Sequence, residues 1–119
     1  MRRRGCSTLA SAPMITIDDF RKVELRTAEV LAADPHPNAD RLLVLKLRVG
    51  TEERQIVSGI RQHYAPADLV GKTIILVANL EPADLRGVAS HGMLLAVRDG
   101  DKVVVLTTEK SVPSGLAVS

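Results

Sequence analysis

Residues 42–49 read Leu42-Leu43-Val44-Leu45-Lys46-Leu47-Arg48-Val49. Leu43, Leu45, Leu47 and Val49 fall on every second position, with Lys46 and Arg48 between them. Such alternation predicts a β-strand with one buried and one solvated face. The next four residues, Gly50-Thr51-Glu52-Glu53, predict a hairpin turn into a second strand over Arg54 to Val57. Upstream, Glu24 to Leu31 reads as another strand, with Leu25 turned opposite to Glu24 and Arg26.

Downstream, Lys72 to Ala78 is nearly all apolar, as expected of a strand buried on both faces. Gly92 to Val97 and Lys102 to Leu106 predict a closing hairpin about Asp99-Gly100-Asp101, where Asp-Gly is a strong turn signal. The texture between Ser58 and Gly71 differs. Ile60 to Tyr64 predicts one helical turn and Pro66 to Val70 another, with Pro66 at its start and Gly71 ending it. A short leading helix opens at Asp18-Asp19, with Asp18 as the expected N-cap and Phe20 and Val23 on one face. Three strands, a helical connector, a strand and a closing hairpin match an all-β fold, a five-stranded Greek-key barrel of OB type with short helices. The pattern alone leaves another small barrel equally open.

Length and composition set bounds on function. With 119 residues the chain has room for one domain. That domain is expected over residues 14–119, and residues 1–13 (MRRRGCSTLASAP) form an expected disordered N-terminal extension. The extension begins with charge and continues with small residues, but it lacks the apolar segment of a signal peptide. Met14, just before the periodic sequence, is an alternative start. Hydrophobic residues are 45% and aromatics 2%, with Phe20 and Tyr64 the whole aromatic supply, so the core must be built from Leu, Val, Ile and Ala. Phe20 is expected in that core. The lone Cys6 cannot form an internal disulfide, which points to a reducing, cytoplasmic setting. No run approaches the length of a membrane span.

The net charge is +2, but Arg2, Arg3 and Arg4 supply it. The remaining residues carry thirteen basic against fourteen acidic side chains. Overall charge therefore gives the domain little pull on nucleic acid, and any basic patch must be local.

Nothing in the sequence has the spacing of a metal or catalytic motif. His36, His63 and His91 lie far apart and are expected at turns or on the surface. Asp18-Asp19 fits helix capping and Glu52-Glu53 a solvated turn, so neither pair is assigned to acid–base work. No cofactor is expected. The basic residues Arg26, Arg41, Lys46, Arg48 and Arg54 could share one face if the first three strands are adjacent, forming a phosphate-binding surface. The residues alone favour the plainer reading, a solvated face with acids interspersed. The aromatic shortage disfavours a single-stranded ligand, because OB proteins of that kind stack bases on aromatic side chains at ~1–3 kcal/mol each. A folded RNA read by shape and backbone stays open.

Three segments resemble a known family: His36-Pro37-Asn38-Ala39-Asp40-Arg41-Leu42, Arg54-Gln55-Ile56-Val57-Ser58-Gly59-Ile60, and the run from Asn79 to Met93. Together, in this order, they resemble the tRNA-binding domain found at the C-terminus of many methionyl-tRNA synthetases and as free-standing proteins. The likeness runs from about Asp18 to Pro113-Ser114-Gly115. It implies an OB fold, homodimerisation, and non-catalytic binding of the outer corner of tRNA with little sequence preference. The chain carries no synthetase catalytic domain, so the likeness is to the free-standing form, acting in trans to an aminoacyl-tRNA synthetase.

By the same resemblance Asn79, Arg86, Ser90 and Met93 belong to the RNA-facing motif, beside Arg41, Lys46, Arg48 and Arg54. Asn79 and Gly87 could equally be turn-formers, and Met93 a core or dimer residue. Pro37-Asn38-Ala39-Asp40 predicts a turn stabilised by Asn and Asp side chains, placing Arg41 at the barrel edge. Ser58-Gly59 predicts a kink that glycine takes cheaply, and Arg86 to Met93 a loop. Fewer lysines than the family often shows, with Glu29, Glu81 and Asp84 among the cations, predict modest and salt-sensitive affinity. The rival within the fold is a chaperone-like relative that binds unfolded or exported polypeptide. It generally lacks the His-Pro-Asn-Ala-Asp stretch and the Ser-x-Gly-Met ending. A module docking onto a synthetase is a further alternative.

Overall fold

A computed structural model describes residues 13–119. The expected extension over residues 1–13, with Cys6, lies outside the described residues except for Pro13. The elements are α1 (Ile17–Arg21), β1 (Leu25–Pro35), β2 (Leu43–Val49), β3 (Glu52–Ser58), α2 (Pro66–Leu69), β4 (Thr73–Val77), β5 (Ala83–Leu85), β6 (Val88–Ser90), β7 (Met93–Leu94), β8 (Ala96–Asp99), β9 (Lys102–Val105) and β10 (Ala117–Val118). The main sheet runs β3-β2-β1-β4-β7, with β10 added to β1. It curls into a half-barrel, so the fold is mostly β and OB-like, as the sequence predicts.

The alternation in β2 is realised as read. Leu43, Leu45 and Leu47 are fully buried, Val49 nearly so, and Lys46 and Arg48 are exposed. The curl depends on β1. Its first half pairs with β4 through Leu25–Glu29, and its second half pairs with β2 from Glu29 to Pro35. A register shift between Val30 and Ala32 changes the parity of the inward positions. Ala28 and Val30 face the core before it and Ala33 after it, so one bent strand serves both halves of the barrel. The core is aliphatic, with Ile56, Leu69, Ile74 and Leu76 completing the layer. Tyr64 packs at its edge and accepts the Val105 N–H through its hydroxyl at 3.1 Å.

The ends of the sheet meet by one backbone and two side-chain links. His91 N–H donates to the Gln55 carbonyl at 2.9 Å, Val57 N–H donates to Ser90 Oγ at 3.0 Å, and Gln55 Nε2 donates to the Ala89 carbonyl at 2.9 Å. The C-terminal segment is tied to buried Thr27. The Thr27 N–H donates to Leu116 O, Gly115 N–H to Thr27 O, the Thr27 hydroxyl to Pro113 O, and Leu116 N–H to Thr27 Oγ1. A Cβ on Gly115 would come within 2.6 Å of the Gly50 backbone, so this segment lies directly on the β2–β3 turn.

Several expectations are corrected. Thr16, not Asp18, caps α1: Asp19 N–H donates to Thr16 Oγ1 and Thr16 N–H to Asp19 Oδ2, a reciprocal capping box. Phe20 is 36% exposed, because α1 is short and buries no residue. The β2–β3 turn is only Gly50-Thr51, since Val49 already pairs with Glu52. Gly59 does not adopt a left-handed φ. The predicted closing hairpin divides: Met93–Leu94 pairs with β4, while β8 and β9 form a separate ribbon. The expected loop before it is a tight hairpin, β5–β6, turning at Arg86-Gly87. Among the described residues no helix is long and apolar enough to cross a membrane.

Candidate nucleic-acid interface

The β1–β2 connection, residues 36–42, carries Arg41, and the β5–β6 hairpin carries Arg86. The two arginines line one recess with Ala39, Asp40 and Leu42. Both are exposed, and among the described residues neither forms an ion pair. Arg86 has φ 57° and Gly87 φ 92°, the left-handed pair of a type I′ turn. Left-handed φ is costly for a residue with a Cβ, by about 1 kcal/mol. The turn is held by Leu85–Val88 pairing and by the Gly87 N–H donating to Asp84 Oδ1 at 2.8 Å. A two-stranded arm thus presents a long cation at its tip.

The arm and loop are pinned. His36 is 2% exposed. Its Nδ1 accepts the Asn38 N–H at 2.9 Å, and its Nε2 lies 2.9 Å from the Leu85 carbonyl. A carbonyl only accepts, so Nε2 carries the proton. Arg61 braces the same loop, its N–H donating to Arg41 O and its guanidinium to Ala39 O at 3.2 Å. The turn is therefore held by His36 and Arg61, and among the described residues Asn38 and Asp40 side chains make no hydrogen bond to it. This corrects the expected Asn/Asp turn chemistry and the expected surface placement of His36. The sequence held no signal for this, because the donor to His36 is the Asn38 backbone N–H and the other partner lies 49 residues away.

The supposed common face of five cations does not form. Arg54 pairs with Leu47 and shares its side of β3 with Ile56, while Arg26 shares parity with Ala28 and Val30 on β1. Both therefore lie on the inward side. Arg26 donates to Glu24 at 2.9 Å and to the Gly115 carbonyl, and Arg54 donates to Glu52 at 2.9 Å and to the Ala78 and His91 carbonyls. Only Lys46 and Arg48 project from the outward face of β2. Arg48 stands between Glu29 and Glu53 across the two ladders and lies 3.6 Å from Glu29. Lys46 donates to Gln55 Oε1 at 2.6 Å and remains exposed.

Two other predicted residues make internal bonds. Asn79 Oδ1 accepts the Glu24 N–H at 2.9 Å and its Nδ2 donates to Lys22 O at 2.6 Å. Ser90 is 4% exposed, with its hydroxyl accepting from Val57 and donating to Gly92 O at 3.1 Å. Met93 is half exposed at the start of β7. The structure thus brings Arg41 and Arg86 together, keeps Lys46, Arg48 and Met93 outward, and gives Arg54, Asn79 and Ser90 internal hydrogen-bond partners.

A family model described as "Putative tRNA binding domain" matches residues 25–117. The chain belongs to this family and is homologous to the C-terminal domain of methionyl-tRNA synthetases. It is 54% identical over 105 residues to a methionine–tRNA ligase of Thermotoga maritima, covering 88% of this chain and 17% of that protein. The chain therefore spans about a sixth of the length of that relative. A methionyl-tRNA synthetase-related protein from Pyrococcus horikoshii superimposes with a TM-score of 0.85 at 34% identity, covering 91% of this chain and 100% of the other. The chaperone CsaA of Bacillus anthracis superimposes with a TM-score of 0.81 at 28% identity, covering 90% and 100% respectively.

Proposed function

We propose that this protein binds the outer corner of folded tRNA, largely without regard to sequence, and catalyses no reaction itself. The observation that carries this reading is the pair Arg41 and Arg86, exposed across one recess and, among the described residues, without an ion pair. OB folds bind nucleic acid through strands 2 and 3 and through the loops after strands 1 and 4. Arg41 lies in the first of those loops, Arg86 in the second, and Lys46 and Arg48 on β2. Phosphate contacts position a ligand without reading bases, which suits a sequence-tolerant grip on a folded backbone. Arg54 and Ser90 support this surface from the barrel, Asn79 from the exposed junction of β4 with the α1–β1 connection, and Met93 adds a soft contact at its margin.

The protein acts in the cytoplasm, in trans to an aminoacyl-tRNA synthetase, as a homodimer. Support for the dimer comes from the exposed side chains of Ile17, Phe20, Val23 and Leu116, with Phe20, Val23 and Val118 lining one recess between α1 and the C-terminus. Burial of such a patch against a second copy is favourable. A monomer mass at micromolar concentration would overturn that part.

The test is a gel-shift titration of several unrelated tRNAs across salt concentration. Binding of all of them, weakening steeply with salt, is expected. Equal binding to an unstructured RNA of the same length rules out shape recognition. The CsaA likeness favours a second reading, a chaperone for unfolded polypeptide. Val97 and Val104, opposite each other on the β8–β9 ribbon and about half exposed, would supply its apolar contact. Suppression of aggregation of an unfolded protein, with no tRNA shift, would establish that reading instead.

A further inference from the structure

We infer that His36 is a positioning residue that locks the Arg86 hairpin to the Arg41 loop and so sets the spacing of the two cations offered to phosphate. The inference rests on the tRNA reading above. Its geometry is specific. One ring nitrogen accepts from Asn38, three residues before Arg41, and the other donates to the carbonyl of Leu85, immediately before Arg86. The two contacts join elements 49 residues apart in the chain. The hairpin needs such a tie. Ala83, Asp84 and Leu85 are all exposed, so β5 has no buried face to seat it. β6 is held to β3 by Ser90 at the base of the arm and by Gln55 Nε2 on the Ala89 carbonyl, but neither contact reaches the Arg41 loop. Near the tip, His36 supplies the direct link from the arm to the Arg41 loop.

A cation at the end of a two-residue turn sweeps a wide arc when its base is loose. Two such cations engage adjacent phosphates best when their separation is preset, because ordering them on binding costs affinity. Burial of the imidazole makes the tie directional, since each ring nitrogen has one partner and the role of each is settled by that partner.

Two near-isosteric substitutions separate the contacts. His36→Asn puts an amide oxygen near the Nδ1 position, where it can accept from Asn38, and removes the reach to Leu85. His36→Gln puts an amide nitrogen near the Nε2 position, where it can donate to Leu85, and gives up Asn38. With both variants folded by circular dichroism, His36→Asn is expected to bind tRNA about 5–20-fold more weakly, with His36→Gln within about 3-fold of the wild type. Combining His36→Asn with Arg86→Ala should be no worse than Arg86→Ala alone by more than about 2-fold, because the tie acts through Arg86. Affinity loss that follows thermal stability rather than the Leu85 contact, or full additivity in the double variant, overturns the inference.

A readout independent of both RNA and mutation is the His36 ring in the wild type by nitrogen-15 NMR. A slowly exchanging proton on Nε2 is expected, and a proton on Nδ1 overturns the proposal. Failure of the wild type to bind any tRNA would instead refute the function proposed above, leaving the ring measurement to report on the tie itself.

Discussion

The Ser90 hydroxyl accepts a hydrogen bond from the backbone N–H of Val57 at 3.0 Å and donates one to Gly92 O. One buried side chain thereby joins β3 to the segment leading into β7, the two ends of the main sheet. Ser90→Ala leaves a buried N–H without a partner, which costs roughly 1–3 kcal/mol. Thermal or urea denaturation should show that loss. If stability is unchanged, the barrel is not closed through this hydroxyl.

Thr27 holds the C-terminal segment through both its backbone and its hydroxyl. Thr27→Val keeps the shape but strips Pro113 O and Leu116 N–H of their partner. A loss of about 1–3 kcal/mol is expected. Amide exchange at Leu116 should accelerate well before that of β2. Uniform acceleration across the sheet would show that the segment is not a separate unit.

Arg86 sits in left-handed backbone, where glycine is cheaper. Arg86→Gly should therefore leave stability unchanged or raise it by up to about 1 kcal/mol while removing a phosphate contact. Affinity for all tRNAs should fall together, by about 10-fold. A protein that loses stability in this variant would refute the strained-turn account, and one that keeps its affinity would remove Arg86 from the interface.

Arg48 faces Glu29 and Glu53 on its two neighbouring strands. Its field is already partly cancelled, so Arg48→Ala should weaken tRNA binding less than Arg41→Ala or Arg86→Ala. Each of the latter two should also shallow the salt dependence by roughly 0.7–0.9 in the log–log slope, the counterion release of one phosphate contact. The opposite ranking would move the binding surface from the barrel end to the outer face of β2.

Local patterning carried the framework of this protein. Leu43, Leu45, Leu47 and Val49 declare a half-buried strand because side chains alternate across a pleat, and each residue needs only its chain neighbours to show it. The four buried residues from Ile74 to Val77 and the Pro66 start of α2 are legible for the same reason. The family motifs then pointed to the right fold, while the placing of Arg41 and Arg86 on one recess came from the structure.

Tertiary structure alone showed where the polar side chains are anchored. Arg54 reads as outward beside Lys46 and Arg48, yet pairing with Leu47 turns it inward, and pairing register is set between strands. Asn79, Ser90 and His36 read as ligand-facing or surface residues, but their partners lie 55, 33 and 49 positions away. A polar side chain carries the same donors and acceptors whether it meets phosphate or backbone. Only the fold brings a distant N–H or carbonyl within about 3 Å and so reveals the internal partner.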